Sequence, residues 1–251
     1  MSALARPPWM IRTRSMQFSA LVAAFVVFAV VVASGVTFGA DDAAIRYFKS
    51  THGNANLDAV MITITTMGDV TTLFILGIVL TIIRRTRKAG MIFLIALVVV
   101  VVLVMYIKPV VSRQIPSEVE PSPGVRPYAF EPALELPENF SLENDSIAPF
   151  AAGLSYPSGH AARATALAFI VGFALYQKSK KASYALWAFP VIIGITRLYV
   201  MQHYPTDIIG GFLLGGMASV VLANAMKLDE PFFMSRFKGK KDQSPQPSGN
   251  L

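Results

Sequence analysis

The chain has 251 residues, 54% of them hydrophobic and 15% charged, with a formal net charge of +7 and no cysteine. A soluble domain carries about 25% charged residues, so this composition excludes an ordinary water-exposed globule and makes a bilayer part of the solvent. The lack of cysteine excludes disulfides, thiolate metal sites and cysteine nucleophiles together, leaving imidazole and oxygen chemistry.

In chain order, residues 1–17 are an N-terminal segment containing Arg6, Arg12 and Arg14. The first apolar run, Phe18 to Phe38, carries no charge. It supplies the roughly 20 helical residues that a bilayer core of about 30 Å requires. The run exceeds the about 7–15 residues of a signal-peptide core, so a retained span is expected rather than a cleaved leader. Val70 to Ile83 is a second run, extended on its N-terminal side by the mixed segment Leu57 to Met67. The Thr65-Thr66-Met67-Gly68-Asp69 stretch reads as a helix junction. Gly90 to Ile107 is the third span, and Ala161 to Tyr176, Tyr184 to Ile195 and Ile208 to Met226 are the fourth, fifth and sixth. The expected fold is therefore all-α: an integral membrane bundle of six transmembrane helices over residues 18–226, with a long loop at 108–160. Residues 227–251, polar from Asp229 onward, are expected to be a disordered tail.

The connections alternate in charge. Basic residues precede the first span, join the second to the third (Arg84, Arg85, Arg87, Lys88), join the fourth to the fifth (Lys178, Lys180, Lys181) and follow the last (Lys227, Arg236, Lys238, Lys240, Lys241). With six spans these four segments share one side, and the excess of lysine and arginine assigns that side to the cytoplasm. Both termini are then cytoplasmic, and the positive balance is a topology signal rather than a nucleic-acid surface. The opposite side receives the 41–69 stretch, the turn around His203 and the 108–160 loop. That loop holds Glu118, Glu120, Glu131, Glu135, Glu138, Glu143 and Asp145, which are expected to be solvated. A proline-rich connection of this length is functional or mobile.

Ionisable residues at span ends mark function in such a chain. Lys108 ends the third span, with Arg113 five residues on; Ser158-Gly159-His160 opens the fourth; Arg197 ends the fifth; His203 and Asp207 precede the sixth. Three cations, two imidazoles and a carboxylate thus reach one membrane face. The set suits phosphate. Free N–H groups at a helix start attract an anion, and glycine admits a close approach. Lysine and arginine neutralise phosphate oxygens, arginine through a two-pronged fork. Asp207 can orient His203 as a nucleophile, and His160 can protonate a departing oxygen. Neither a metal nor a cofactor is required. Arg163, one turn into the fourth helix, either adds a phosphate contact or pairs with an acid. His52 is expected to be a solvated residue of the outer segment.

Pro157-Ser158-Gly159-His160 and the spaced set Arg197, His203 and Asp207, downstream of Lys108, resemble the signature of the type 2 phosphatidic acid phosphatase superfamily of integral-membrane lipid phosphatases. The resemblance covers roughly Leu57 to Met226. It implies that His203 is the nucleophile of a phosphohistidine, supported by Asp207, that His160 is the general acid, and that Lys108, Ser158, Gly159 and Arg197 hold the phosphoryl group. The first motif departs from the pattern: Ile115-Pro116 stands where the family has Arg-Pro. Arg113 is favoured as the substitute for its proximity, with Arg126, next to Pro127, as the rival. Thr196 stands where serine is usual.

The expected activity is a metal-independent lipid phosphatase with its site on the extracytoplasmic side. Polyprenyl diphosphate is the first candidate substrate, followed by phosphatidate and phosphatidylglycerol phosphate. The alternatives are a lipid phosphotransferase with the same site, an anion or lipid transporter, and a binding protein that has lost catalysis. No inverted repeat supports the transporter.

Overall fold

A computed structural model describes residues 4–118, 128–136, 141–143 and 148–230. Its described residues form nine α-helices: α1 (Met16–Ala33), α2 (Phe38–Ser50), α3 (Ala55–Thr66), α4 (Val70–Ile82), α5 (Arg87–Val111), α6 (Gly159–Tyr176), α7 (Lys180–Ala185), α8 (Ala188–Tyr199) and α9 (Pro205–Ala225). Among these residues the only extended pairing is the bridge between Gln114 and Leu154. The expected tail from residue 231 onward lies outside the described residues.

Helices α1, α5, α6 and α9 are each long and apolar enough to cross a membrane, as is Lys180–Tyr199, which joins α7 and α8. The sixth span is a bent pair: α3 and α4 meet at 52°. The helix junction expected at residues 65–69 is therefore a break within the second span, at Met67–Asp69. The end of the first span differs from expectation. The first span stops at Ala33 because Gly35 takes a φ of 77°, a left-handed turn that suits glycine. The chain then re-enters a helix, α2, which buries Asp41 and Ile45.

Helix α6 lies at the centre, 78% of its span buried, with α5, α8 and α9 around it. Its small side chains allow this. Ala161, Ala162, Ala164, Ala166 and Ala168 are fully buried. The facing side of α9 is glycine. A Cβ on Gly211 would come within 2.5 Å of the Ser158 carbonyl oxygen, and one on Gly215 within 2.2 Å of that of Ala162. Two glycines four residues apart let the backbones touch, the usual solution where lipid tails offer no hydrophobic drive for helix association. Outer helices instead show apolar side chains to the bilayer, such as Val26, Val27 and Val30 on α1. At the end of the bundle away from the α6 N-terminus, Trp9 packs edge-on against Tyr176, Tyr184 and Trp187.

The glycine contact is testable. Gly215→Ala sets a methyl against backbone that cannot yield, and overpacking of this kind costs about 1–3 kcal/mol. Gly216 faces open space. Thermal unfolding in detergent should show a lower midpoint for Gly215→Ala and an unchanged one for Gly216→Ala; equal midpoints would refute the close packing.

Candidate active site

The residues singled out in the sequence converge at the N-terminal ends of α6 and α9. Lys108, in the last turn of α5, is buried and donates to the carbonyl of Leu154. The chain leaving α5 pairs with the chain approaching α6: Ile115 N–H donates to Gly153 at 2.9 Å and Ser155 N–H to Arg113 at 2.7 Å. This clamp, followed by a cis Tyr156-Pro157 peptide bond, delivers Ser158 to the N-cap of α6. The Ser158 hydroxyl oxygen accepts from Ala161 N–H at 3.4 Å. Its own N–H donates to the Asp207 carbonyl at 3.0 Å, joining the α6 and α9 starts directly.

Asp207 is fully buried in the first turn of α9, which Pro205 opens without losing a needed N–H. Its Oδ2 accepts from Tyr204 N–H at 2.7 Å and lies 3.7 Å from Nδ1 of His203. Arg113 supports the other oxygen. Its Nη1 donates to Asp207 Oδ1 at 3.1 Å and Thr206 Oγ1 at 2.6 Å, and its Nη2 to Asp41 Oδ2 at 2.7 Å. The guanidinium lies 4.0 Å from the ring centre of Tyr204. Burial pushes the Tyr204 phenol up to about 12, with Arg113 opposing and Asp207 adding. Burial, then Asp207, also pushes the Tyr156 phenol up.

On the other flank, His160 Nε2 lies 2.9 Å from Asp69 Oδ1, and its Nδ1 lies 3.1 Å from Arg163 Nη2. Arg163 donates twice to the Gly68 carbonyl, at 3.2 Å each, and to Glu143 Oε1 at 2.8 Å. Arg197 donates to the backbone carbonyl of Glu143 at 3.0 Å and to Thr65 Oγ1 at 3.4 Å. Asp69, Glu143 and His160 place ligand atoms within 4.8 Å of one another, a spacing that a metal ion could use. Arg163 already supplies the positive charge between Glu143 and His160, which makes a cation there unfavourable.

Several expectations change. Arg113 does not present its fork to a phosphate position; its donors are taken by Asp41, Thr206 and Asp207, because two buried carboxylates there need a cation. Its rival Arg126 lies outside the described residues. Ile115 is buried. Thr196 keeps the expected hydroxyl but turns it back to the Ile193 carbonyl at 2.7 Å. His52 is half-buried, 2.8 Å from the Tyr199 carbonyl oxygen, rather than simply solvated. Arg163 takes the acid-pairing option. The acid is Glu143, a residue of the loop expected to be solvated. Sequence reasoning missed Asp41, Asp58 and Asp69. Asp58 is fully buried, accepting from the Tyr199 hydroxyl and from Ala133 N–H. Their one signal was position: acids beside a mixed-polarity segment with no span-length run of its own.

Residues 89–231 match the family model described as the PAP2 superfamily. The chain belongs to the PAP2 superfamily. The matched stretch contains Lys108, Arg113, Ser158, Gly159, His160, Arg197, His203 and Asp207; Asp41 and Asp69 precede it. An undecaprenyl-diphosphatase of Sulfolobus acidocaldarius is 32% identical over 142 residues, 56% of this chain and 56% of its own length. A lipid A 1-phosphatase of Rhizobium etli is 38% identical over 84 residues, 31% of this chain and 33% of its own. This chain thus spans about a third to just over half the length of these curated PAP2 relatives. The crystal structure of a transmembrane PAP2-type phosphatidylglycerolphosphate phosphatase from Bacillus subtilis superimposes with a TM-score of 0.66 at 21% identity. The superposition covers 87% of this chain and 100% of that one, which establishes a shared PAP2 membrane fold.

The Arg113 cluster yields a stability prediction. Arg113→Ala leaves Asp41 and Asp207 buried without their cation, and breaking a buried pair costs about 3–5 kcal/mol. The unfolding midpoint should fall sharply, whereas Arg46→Ala, which removes an exposed partner of Asp42, should shift it little.

Proposed function

We propose that the protein is a metal-independent phosphatase of lipid phosphates or diphosphates that works through a phosphohistidine at His203. One observation carries the reading: the α6 and α9 starts are joined by the Ser158–Asp207 hydrogen bond, with His160 on one side, His203 on the other, and buried Lys108 and Arg197 beside them. In this mechanism Lys108, Arg197, Ser158 and the Gly159 N–H hold the phosphoryl oxygens, stabilising charge where the transition state concentrates it. Asp207, fixed by Tyr204 N–H and Arg113, orients His203. The His203 nitrogen forms a bond to phosphorus, the bond to the leaving oxygen breaks with its electron pair on oxygen, and the His160 imidazolium gives that oxygen its proton. Water then forms a bond to phosphorus as the His203 N–P bond breaks with its electron pair returning to nitrogen, and neutral His160 accepts the water's proton.

The site lies at span ends, so a headgroup can enter while its tails remain in the bilayer. An apolar cleft of about 260 Å³ between α1, α6, α8 and α9 runs from Thr165 and Phe212 to Trp9 and Trp187 at the far end of the bundle, apolar space that favours a lipid substrate. Thr165 and Phe212 lie five residues beyond His160 and Asp207, below the site. The excess of lysine and arginine on one set of connections supports cytoplasmic termini and a site on the extracytoplasmic face. Release of a polyprenyl carrier on that face ranks polyprenyl diphosphate first, and the name of the archaeal relative agrees.

Purified protein in detergent with EDTA should release phosphate from polyprenyl diphosphate, phosphatidate or phosphatidylglycerol phosphate without any membrane gradient. His203→Ala should reduce release to background while the protein remains folded. A well-folded, active His203→Ala protein would sink the assignment.

A further inference from the structure

At the end of the bundle away from the α6 N-terminus, a cavity of about 290 Å³ lies between the α4–α5 connection, the last turn of α6 and the two terminal segments. Arg84, Arg85, Arg87 and Lys88 line it from one connection and Lys178 from another. Glu230 is the one acid among the described lining residues, so five cations face it with an excess of four positive charges. A topology signal needs cations on one side of the membrane but not their convergence. Here they gather around one concavity although like charges repel.

The walls are tied in place. Gln177, at the end of α6, exchanges two hydrogen bonds with the backbone of Ala5: its Nε2 donates to the carbonyl at 2.7 Å and its Oε1 accepts from the N–H at 3.2 Å. Arg6 pairs with Asp229, and Lys88 Nζ donates to the Glu230 carbonyl at 2.6 Å. Arg87 Nε donates to the Thr81 carbonyl at 3.1 Å. Such carbonyl contacts orient a cation without neutralising it. Arg84, Arg85 and Lys178 are exposed and form no side-chain hydrogen bond or ion pair among the described residues. Thr86, the N-cap of α5, turns its hydroxyl to the Leu80 carbonyl at 2.8 Å and caps none of the first-turn N–H groups. Those groups belong to Arg87, Lys88 and Ala89, which line the cavity, so the positive end of α5 adds to the same field.

The occupant that fits is amphipathic. The buried lining residues, Ala89, Phe173 and Leu228, are apolar, whereas Arg84, Arg85 and Lys178 stand exposed at the rim. A free phosphate would use only the rim. The cavity also lies at the level of the span ends, where α4 stops at Ile82, α5 begins at Arg87 and α6 stops at Tyr176. Lipid headgroups occupy that level. The chain's own residues 231–251 are a poor match in charge, with Arg236, Lys238, Lys240 and Lys241 against the single acid Asp242. We propose that this cavity binds the phosphate headgroup of an anionic phospholipid, at a site separate from the catalytic one. Basic pockets between span ends take such headgroups by the same charge complementarity.

The test titrates purified protein in nonionic detergent with phosphatidylglycerol, phosphatidylcholine or inorganic phosphate and counts bound molecules by native mass spectrometry. Phosphatidylglycerol is a phosphodiester with no terminal phosphate to release. Wild type should retain it in clear preference to phosphatidylcholine. Arg84→Ala/Lys178→Ala should weaken its binding about thirtyfold, because each basic residue near an anionic headgroup contributes roughly fivefold. Lys180→Ala/Lys181→Ala removes the same charge from the same end without touching the lining and should change binding by less than about twofold, the scale of an exposed charge. Ala174→Phe keeps every cation, fills the cavity and should also weaken binding. Equal retention of the two lipids by wild type overturns the proposal without any variant. Equal losses in the two double variants, the mark of diffuse surface charge, overturn it too, as does displacement of the lipid by equimolar inorganic phosphate, the mark of a free-anion site.

Discussion

The contact on which the site depends is the close approach of α6 and α9. Only backbone and small side chains separate them, and the hydrogen bond from Ser158 N–H to the Asp207 carbonyl closes the gap at the ends that matter. It puts the N-terminus of one helix beside the first turn of another that carries the carboxylate. A bulkier α9 face would separate these ends by the width of a side chain, and His160 and His203 would move apart with them. Helix packing and the placement of the two histidines are here one constraint.

A second constraint is charge. Lys108, Arg163 and Arg197 are all buried beside the site, and Arg113 is nearly so. Unpaired cations in such surroundings are costly. Acids drawn from segments outside the long spans pair with two of them: Asp41 of α2 with Arg113, and Glu143 of the 108–160 loop with Arg163; Asp69 of the α3–α4 break lies beside His160. Two groups result. Arg113, Asp41 and Asp207 form one beside His203; Arg163, Glu143, Asp69 and His160 form the other at the start of α6.

The legible part of this arrangement is that which repeats a strong local pattern. Apolar runs of span length announced the helices, and the spaced histidines, arginine and aspartate at their ends announced the site, because each lies at a fixed offset from a span. The break in the second span was legible only as a junction, since Gly68-Asp69 indicates a turn without its angle. The partners of Arg113, Arg163 and His160 were not legible. Asp41, Asp69 and Glu143 reach them across 72, 91 and 20 residues of sequence, and nothing local distinguishes such an acid from a solvated one. Arg113 shows the effect plainly: its residue type suits phosphate, but two buried carboxylates nearby take its donors.

The broken span has a consequence for the assembly of the bundle. A continuous helix satisfies its backbone groups within itself and is competent to cross a bilayer alone. The α3–α4 pair leaves the Gly68 carbonyl and the Val70 N–H to be satisfied by Arg163 and Glu143, both of which enter the chain later during synthesis. The second span therefore reaches its final form only after Arg163 of α6 and Glu143 have come into place. A helix that emerges early is thus completed by residues that emerge far later.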